Sequence, residues 1–266
     1  DTMSIRAKLE RGHTSVVNDC CWSLDDRMIW SCSDDFTIVG WRFKPESGDA
    51  TAKITLSGHT NSVQSLSLGV KGNKLFSAGW DNTVRAWPLK KGSKSIKSIV
   101  VTRHDDWVNS VQAAPEAKLL SGSHSGSVRI SSALGSNKRG ETTWKHDNWV
   151  LAAKFSPDYT KVVSGSYDGE LCIWKVGQAN ALYRFSDAHD GRINAVAFSP
   201  DSSQVFSAAQ DAKLKVWDVK TGKLVTQFIC KAPCTAIGVN CIHTSGFNVL
   251  IVGDSLGNVY FLKVHS

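Results

Sequence analysis

Apolar residues recur along the chain in short alternating sets rather than in helical periods. The sets Val17, Cys20, Trp22; Val63, Leu66, Leu68; Val150, Ala153, Phe155; and Ile193, Val196, Phe198 each end on a two-residue spacing. That spacing predicts a strand with one buried face, and the extra residue near the start of each set predicts a bulge. A polar turn follows, as in Ser23-Leu24-Asp25-Asp26, Ser156-Pro157-Asp158 and Ser199-Pro200-Asp201. A small-residue strand such as Ser164-Gly165-Ser166 comes next, then a tight turn such as Asp168-Gly169. The set closes on a second alternating strand, as in Leu171, Ile173 and Trp174. No segment sustains a 3.6-residue apolar period long enough for a core helix.

The pattern is periodic on a larger scale. Gly12-His13, Gly58-His59, Arg103-His104, Lys145-His146 and Ala188-His189 open successive units, and a sixth unit has no opening histidine. The closing positions are Trp41, Trp87, Ser131, Trp174, Trp217 and Leu262, spaced 46, 44, 43, 43 and 45 residues apart. Such a period marks a repeat architecture in which each unit is one supersecondary element. The predicted units run 4–43, 54–90, 98–133, 141–176, 182–219 and 222–264 within one domain.

Four units carry a matched quartet: His13, Ser31, Asp35, Trp41; His59, Ser77, Asp81, Trp87; His146, Ser164, Asp168, Trp174; and His189, Ser207, Asp211, Trp217. Ser, His and Asp invite comparison with a hydrolase triad, but four copies do not make four active sites. A triad is one constellation with an exposed nucleophile and an oxyanion hole. The third unit keeps His104 and Ser121 but has Ser125 and Ser131 in the last two places, and the sixth has Val252, Leu256 and Leu262. These two units are expected to be held by packing and to be the softest.

The Gly-His, Ser-x-x-x-Asp and Trp-Asp pattern resembles the WD-repeat β-propeller family over nearly the whole chain. The resemblance implies an all-β fold of four-stranded antiparallel blades around a central channel. It also implies that the quartets are buried hydrogen-bond chains linking the loops of each blade. Counting units gives six blades, although seven is commoner in the family. The segment Ser4 to Glu10 is expected to pair with the last three strands and close the fold, which would remove exposed edges. The stretch Gly253 to Leu262 is similar to the terminal blade of propellers fused to NACHT or AP-ATPase (STAND) switch proteins. No Gly-x-x-x-x-Gly-Lys-Ser/Thr loop occurs, so such a switch is expected to lie outside this chain.

The family topology implies that loops around the His and Asp positions share one face, the top. That face is expected to collect Trp80, Trp107, Trp149, Tyr167, Arg192, Asp34, His124 and Gln210 as partner-binding residues. Large aromatics and Arg are the usual interface anchors. Asp19, Asp34, Asp105, Asp106, Asp147 and Asp190 would lie at or near the same face, which suits a basic protein partner. Lys90, Lys91, Lys94, Lys97, Lys138 and Arg139 would lie on the other face or outer edge. Their basic character leaves nucleic acid as a secondary expectation, without any interleaving of basic and stacking residues to support it.

Composition adds bounds. The 266 residues are 41% hydrophobic and 21% charged, with a net charge of +7, which suits a globular chain and not a disordered one. No run approaches the length of a membrane-spanning helix, so no membrane association is expected. Asp1 to Gly12 does not read as a secretory signal, and the chain is expected to be part of a larger protein or complex. Seven cysteines, two of them adjacent at Cys20 and Cys21, argue against a disulfide framework and for a cytoplasmic setting, with the nucleus as the alternative. Cys32 and Cys172 read as strand packing. Cys230, Cys234, Cys241 and His243 match no common zinc spacing. No cofactor, metal or catalytic residue is expected. The leading reading is a non-catalytic interaction or ligand-sensing module, with signalling as its setting and a STAND sensor as its sharper form. The alternative is a scaffold subunit of a ribonucleoprotein or chromatin assembly.

Overall fold

The structure, a computed structural model, describes residues 9, 12–44, 49–89, 96–134, 142–242 and 247–264. The described residues form strands and turns and no helix. The first sheet holds β1 (Val17–Trp22), β2 (Met28–Ser33), β3 (Thr37–Lys44) and β4 (Asp49–Ser57). The second holds β5 (Val63–Leu68), β6 (Lys74–Gly79), β7 (Thr83–Pro88) and β8 (Ile99–Arg103). The third holds β9 (Val108–Ala114), β10 (Lys118–Ser123), β11 (Ser127–Ser132) and β12 (Thr142–Lys145). The fourth holds β13 (Val150–Phe155), β14 (Lys161–Ser166), β15 (Leu171–Lys175) and β16 (Ala181–Phe185). The fifth holds β17 (Ile193–Phe198), β18 (Gln204–Ala209), β19 (Lys213–Asp218) and β20 (Leu224–Ile229). The sixth holds β21 (Cys234–Ile242), β22 (Phe247–Asp254) and β23 (Val259–Val264). The sheets number as expected for a six-blade β-propeller. The segment expected to complete the last sheet lies, apart from Leu9, outside the described residues.

The chain divides into two compact units, Asp1–Ser121 with Ser131–Arg139, and Gly122–Ile130 with Gly140–Ser266. In the first, Val63 and Leu66 of β5 pack with Trp30, Cys32, Ile38 and Leu56 of the first sheet. In the second, Ile193, Val196 and Phe198 of β17 pack with Val163, Leu171 and Ile173 of the fourth sheet. These two opening strands therefore bury their alternating face against the preceding sheet. The expected bulge is present in β1, β5, β13 and β17, where the register shifts between Val17 and Asp19, Val63 and Ser65, Val150 and Ala152, and Ile193 and Ala195. The extra residue twists the strand and lets the face starting at Val63 or Ile193 stay buried through the strand.

The first unit departs from expectation. Val17, Cys20 and Trp22 are exposed, whereas Val63, Val150 and Ile193 are fully buried. Trp22 instead rests edge-on against Phe43 of the same sheet, with ring centroids 5.3 Å apart. It is Cys21, on the opposite face, that joins the cluster between the first and second sheets.

Candidate functional site

The quartets carry residue types that also serve in catalysis. In the first sheet His13 Nε2 lies 2.8 Å from Ser31 Oγ and His13 Nδ1 lies 2.9 Å from Asp35 Oδ2. Trp41 Nε1 donates to the same Ser31 Oγ at 2.7 Å. The second sheet repeats this with His59–Ser77 at 2.7 Å, His59–Asp81 at 3.0 Å and Trp87 to Ser77 at 2.8 Å. The fifth has His189–Ser207 at 2.8 Å, His189–Asp211 at 3.0 Å and Trp217 to Ser207 at 2.9 Å. One proton arrangement satisfies every atom. The indole donates to the serine oxygen, the serine hydroxyl donates to Nε2, and Nδ1–H donates to the carboxylate.

These serines cannot meet a substrate. Ser77, Ser164 and Ser207 are fully buried, and Ser31 is nearly so. Each quartet instead joins a loop, two strands and a tight turn. Burial opposes ionisation of Asp35, but hydrogen bonds from Thr37, Thr14 and His13 outweigh it and hold the carboxyl at about 2. Asp211 is likewise held below the ordinary range: burial opposes this, and the His189 contact, together with hydrogen bonds from the backbone N–H groups of Lys213 and Asp190, outweighs it. Burial pushes His189 down, only partly offset by Asp211, so the ring is neutral at pH 7.

The fourth sheet corrects the expected quartet. His146 and Trp174 both reach Ser164 Oγ at 2.7 Å, but Asp168 is not the carboxylate beside His146. Asp168 is exposed and turned toward Ser166 Oγ and the backbone N–H of Glu170. Glu170 takes its place, with Oε2 2.5 Å from His146 Nδ1 and Oε1 accepting from Arg184 Nη1 at 2.8 Å. The physical reason lies two residues beyond the turn. The other quartets have Thr37, Thr83 or Lys213 there; the fourth has a carboxylate one methylene longer. Two carboxylates cannot share one ring, so the longer one enters with its own cation and the shorter one faces solvent. Burial opposes ionisation of Glu170, but His146 and Arg184 hold its carboxyl below the usual range. Gly169 between them sits at φ 87°, where a Cβ would lie 2.2 Å from the His189 carbonyl oxygen.

The third and sixth sheets lack the quartet in different ways. In the third, His104 Nε2 keeps Ser121 Oγ at 2.8 Å, and Ser125 bonds to Ser127 Oγ at 2.8 Å and to Ser123 Oγ at 3.2 Å. Ser131 Oγ is buried with no hydrogen-bond partner among the described residues. The sixth was expected to rely on packing alone, and that expectation is corrected. Val252 is fully buried and Leu256 exposed, but buried Asp254 builds its own clasp. Its carboxylate accepts from Asn258 Nδ2 and Tyr260 Oη, each at 2.8 Å, and Tyr260 Oη accepts from the Lys231 backbone N–H at 3.0 Å. Burial opposes ionisation of Asp254, and the bonds from Asn258 and Tyr260 outweigh it.

Metal chemistry gains little support. Ligand atoms of His146, Glu170 and Cys172 lie within 4.8 Å of one another. Arg184 already supplies a cation to Glu170, and burial raises the Cys172 thiol, which leaves it a poor ligand. Cys230 and Cys234 are buried with their sulfurs 3.1 Å apart. The Cys241 side chain and His243 lie outside the described residues, as do Lys90, Lys91, Lys94, Lys138 and Arg139.

Several of the sequence-predicted partner residues stack on one another within a compact unit. In the first compact unit, Trp80 and Trp107 stack with centroids 4.4 Å apart and planes 13° from parallel. Trp80 Nε1 donates to Asn109 Oδ1 at 3.1 Å, fixing the ring. In the second, His124 stacks on Trp149 at 4.4 Å and 1°, and Tyr167 leans on the same Trp149 ring at 4.8 Å. Trp107, Trp149 and Tyr167 are about two-fifths exposed, at 38%, 41% and 43%. Gln210 and Arg192 are joined through the backbone, Gln210 N–H donating to the Arg192 carbonyl at 2.9 Å. Asp34 spends its carboxylate internally. It accepts from Ser62 Oγ, from Asn18 Nδ2 at 2.7 Å and from Gln64 Nε2 at 3.4 Å, and the Ser62 bond above all holds it below the ordinary range. The Asp19 carboxylate also accepts internally, from the Leu66 backbone N–H at 2.8 Å.

Comparison with known proteins bears on this geometry. The profile of the WD domain, G-beta repeat, matches residues 5–42, 51–88, 94–130 and 140–175. The profile of the TEP-1 C-terminal beta-propeller matches residues 189–264. Among curated relatives, the COMPASS component SWD3 of Saccharomyces cerevisiae is 30% identical over 154 residues, covering 56% of this chain and 46% of that protein. The ribosome biogenesis protein WDR12 homolog of Nematostella vectensis is 36% identical over 90 residues, covering 33% and 21%. The small ribosomal subunit protein RACK1 of Dictyostelium discoideum is 32% identical over 84 residues, covering 30% and 26%. The chain spans less than half the length of each of these relatives. With the repeated sheets, the buried quartets and profile matches over more than half its length, the chain belongs to the WD-repeat β-propeller family.

Proposed function

We propose that this chain is a non-catalytic interaction module that captures a protein partner on its exposed aromatic ledges. The observation that carries this reading is the pre-stacked state of Trp80 with Trp107, and of His124 with Trp149 and Tyr167. Rings held in place by stacking and by the Asn109 bond lose little entropy when a partner covers them. Asp147 adjoins the second ledge in sequence, and Asp105 and Asp106 adjoin the first, which favours a basic partner surface. The match of residues 189–264 to the TEP-1 C-terminal propeller profile supports the sharper form, a sensor domain of a larger switch protein. The names of the relatives, a COMPASS component and a ribosome biogenesis protein, support a second form, a scaffold subunit of a larger assembly such as a ribonucleoprotein.

Replacing Trp80, Trp107, Trp149 and Tyr167 together by alanine is expected to abolish affinity capture of the partner while the melting transition persists. Undiminished capture by the fourfold variant would remove the reading. RNA binding that falls steeply with salt would favour the ribonucleoprotein form.

A further inference from the structure

Within the first compact unit, the second and third sheets enclose an apolar groove of about 600 Å³. Its origin is legible by comparing repeats. Nine positions after the opening histidine, the fourth and fifth units place Phe155 and Phe198, both buried; the third places Ala113. Two positions after the closing residue, the fifth unit places buried Val219 and the third places Ala133. Phe198 and Val219 belong to the cluster that joins the fourth and fifth sheets. Ala113 and Ala133 occupy the same places in the cluster joining the second and third sheets, and both line the groove with Phe76 and Ala117. Two truncations in one repeat thus leave space that a large side chain fills elsewhere.

The floor and mouth are unusual as well. The turn between β9 and β10 places Glu116 and Ala117 consecutively at φ 57° and 55°, a conformation that non-glycine residues seldom adopt. Val70 and Leu134 line the groove at its open side, 52% and 78% exposed. Lys71, Lys74 and Lys118 also line it. Glu116 is paired with Lys118 at 2.7 Å, whereas Lys71 and Lys74 form no ion pair among the described residues. The site therefore offers an apolar slot beside two uncompensated cations.

We propose that this groove is a docking slot for an acidic linear segment of a partner protein, whose aromatic side chain enters the space vacated at Ala113. Its volume lies in the range of ligand pockets, and apolar walls with few polar groups are the usual composition of such sites. Carboxylates flanking the aromatic residue meet Lys71 and Lys74, which sets the charge of the partner. The slot is built from residues separate from the aromatic ledges and does not depend on them.

The probe is a fluorescein-labelled peptide, acetyl-Asp-Glu-Phe-Glu-Asp-amide, titrated into the 266-residue chain and followed by anisotropy. Two control peptides carry alanine in place of the phenylalanine, or glutamine and asparagine in place of the acids. Binding of the acidic aromatic peptide alone is expected. Ala113→Phe, which fills the slot as Phe155 and Phe198 do, is expected to abolish binding while raising the melting midpoint. The surface pair K71E and K74E is expected to weaken binding about tenfold, the scale of two reversed charge contacts. It also remains informative if Ala113→Phe fails to fold. Trp149→Ala is expected to leave this binding unchanged. No binding of the acidic aromatic peptide overturns the proposal, as does equal binding of either control peptide. Unaltered affinity in Ala113→Phe or in the Lys71 and Lys74 double variant overturns it too.

Discussion

The fifth and third sheets are built on the same repeat yet are fastened differently. In the fifth, one serine oxygen serves both His189 and Trp217, and Asp211 holds the other side of the ring. In the third, Ser121 serves His104 alone, serines stand in the turn, and Ser131 keeps a buried oxygen without a partner among the described residues. The fifth also fills its core with Phe198 and Val219, where the third has Ala113 and Ala133. The difference teaches that polar network and packing were relaxed together in one repeat. A repeat fold tolerates this because each unit's stability is largely its own plus that of its immediate interfaces.

The largest test of this contrast lies in the fourth sheet. Glu170→Ala leaves His146 and Arg184 without their shared carboxylate and is expected to destabilise by about 3–5 kcal/mol in urea titration. Asp168→Ala removes an exposed group and is expected to cost under about 1 kcal/mol. The reverse order would return Asp168 to the buried network. Next in size, Ser207→Ala strands a ring nitrogen and an indole N–H and is expected to cost about 1–3 kcal/mol. Ser121→Ala strands one ring nitrogen and is expected to fall at the low end, near about 1 kcal/mol, on the same titration.

The smallest effect is a pH dependence. His189 is depressed by burial, so the folded chain binds fewer protons there than the unfolded chain. Its contribution is complete above about 6.5, the ordinary histidine value, and declines as pH falls below it. Asp35, Asp211 and Glu170 are also depressed, so their contributions are complete above about 4 and are lost as pH falls further, toward about 2 for Asp35. Melting midpoints are expected to fall in two stages on acidification. Rising stability between pH 7 and 5 would contradict the neutral, buried state of His189.

Much of this organisation was readable from the chain. The alternating sets, the bulge after Val63, Val150 and Ile193, and three quartets follow from local spacing, because strand periodicity and turn chemistry are local properties. What escaped reading depends on which side chain wins a shared site. Asp168 and Glu170 differ in reach by one methylene, and only the register that sets Cys172 beside Arg184 shows which is buried. An acidic residue standing where other repeats have Thr37, Thr83 or Lys213 was the available signal. The Asp254 clasp escaped for a similar reason: Asn258 and Tyr260 reach it across a turn, outside the pattern shared by the other repeats. Asp34 reads as an exposed loop acid, yet its partners Ser62 and Gln64 come from the next repeat.

Native-state hydrogen exchange tests the central claim most directly, because it reports local stability sheet by sheet. If the quartets act as fasteners, amides of β18 and β19 should exchange slowest, those of β10 and β11 markedly faster, and those of β22 in between because of the Asp254 clasp. Equal protection of β10 and β18, or faster exchange in β18, would show that the buried His, Ser, Asp and Trp do not determine how firmly each sheet is held.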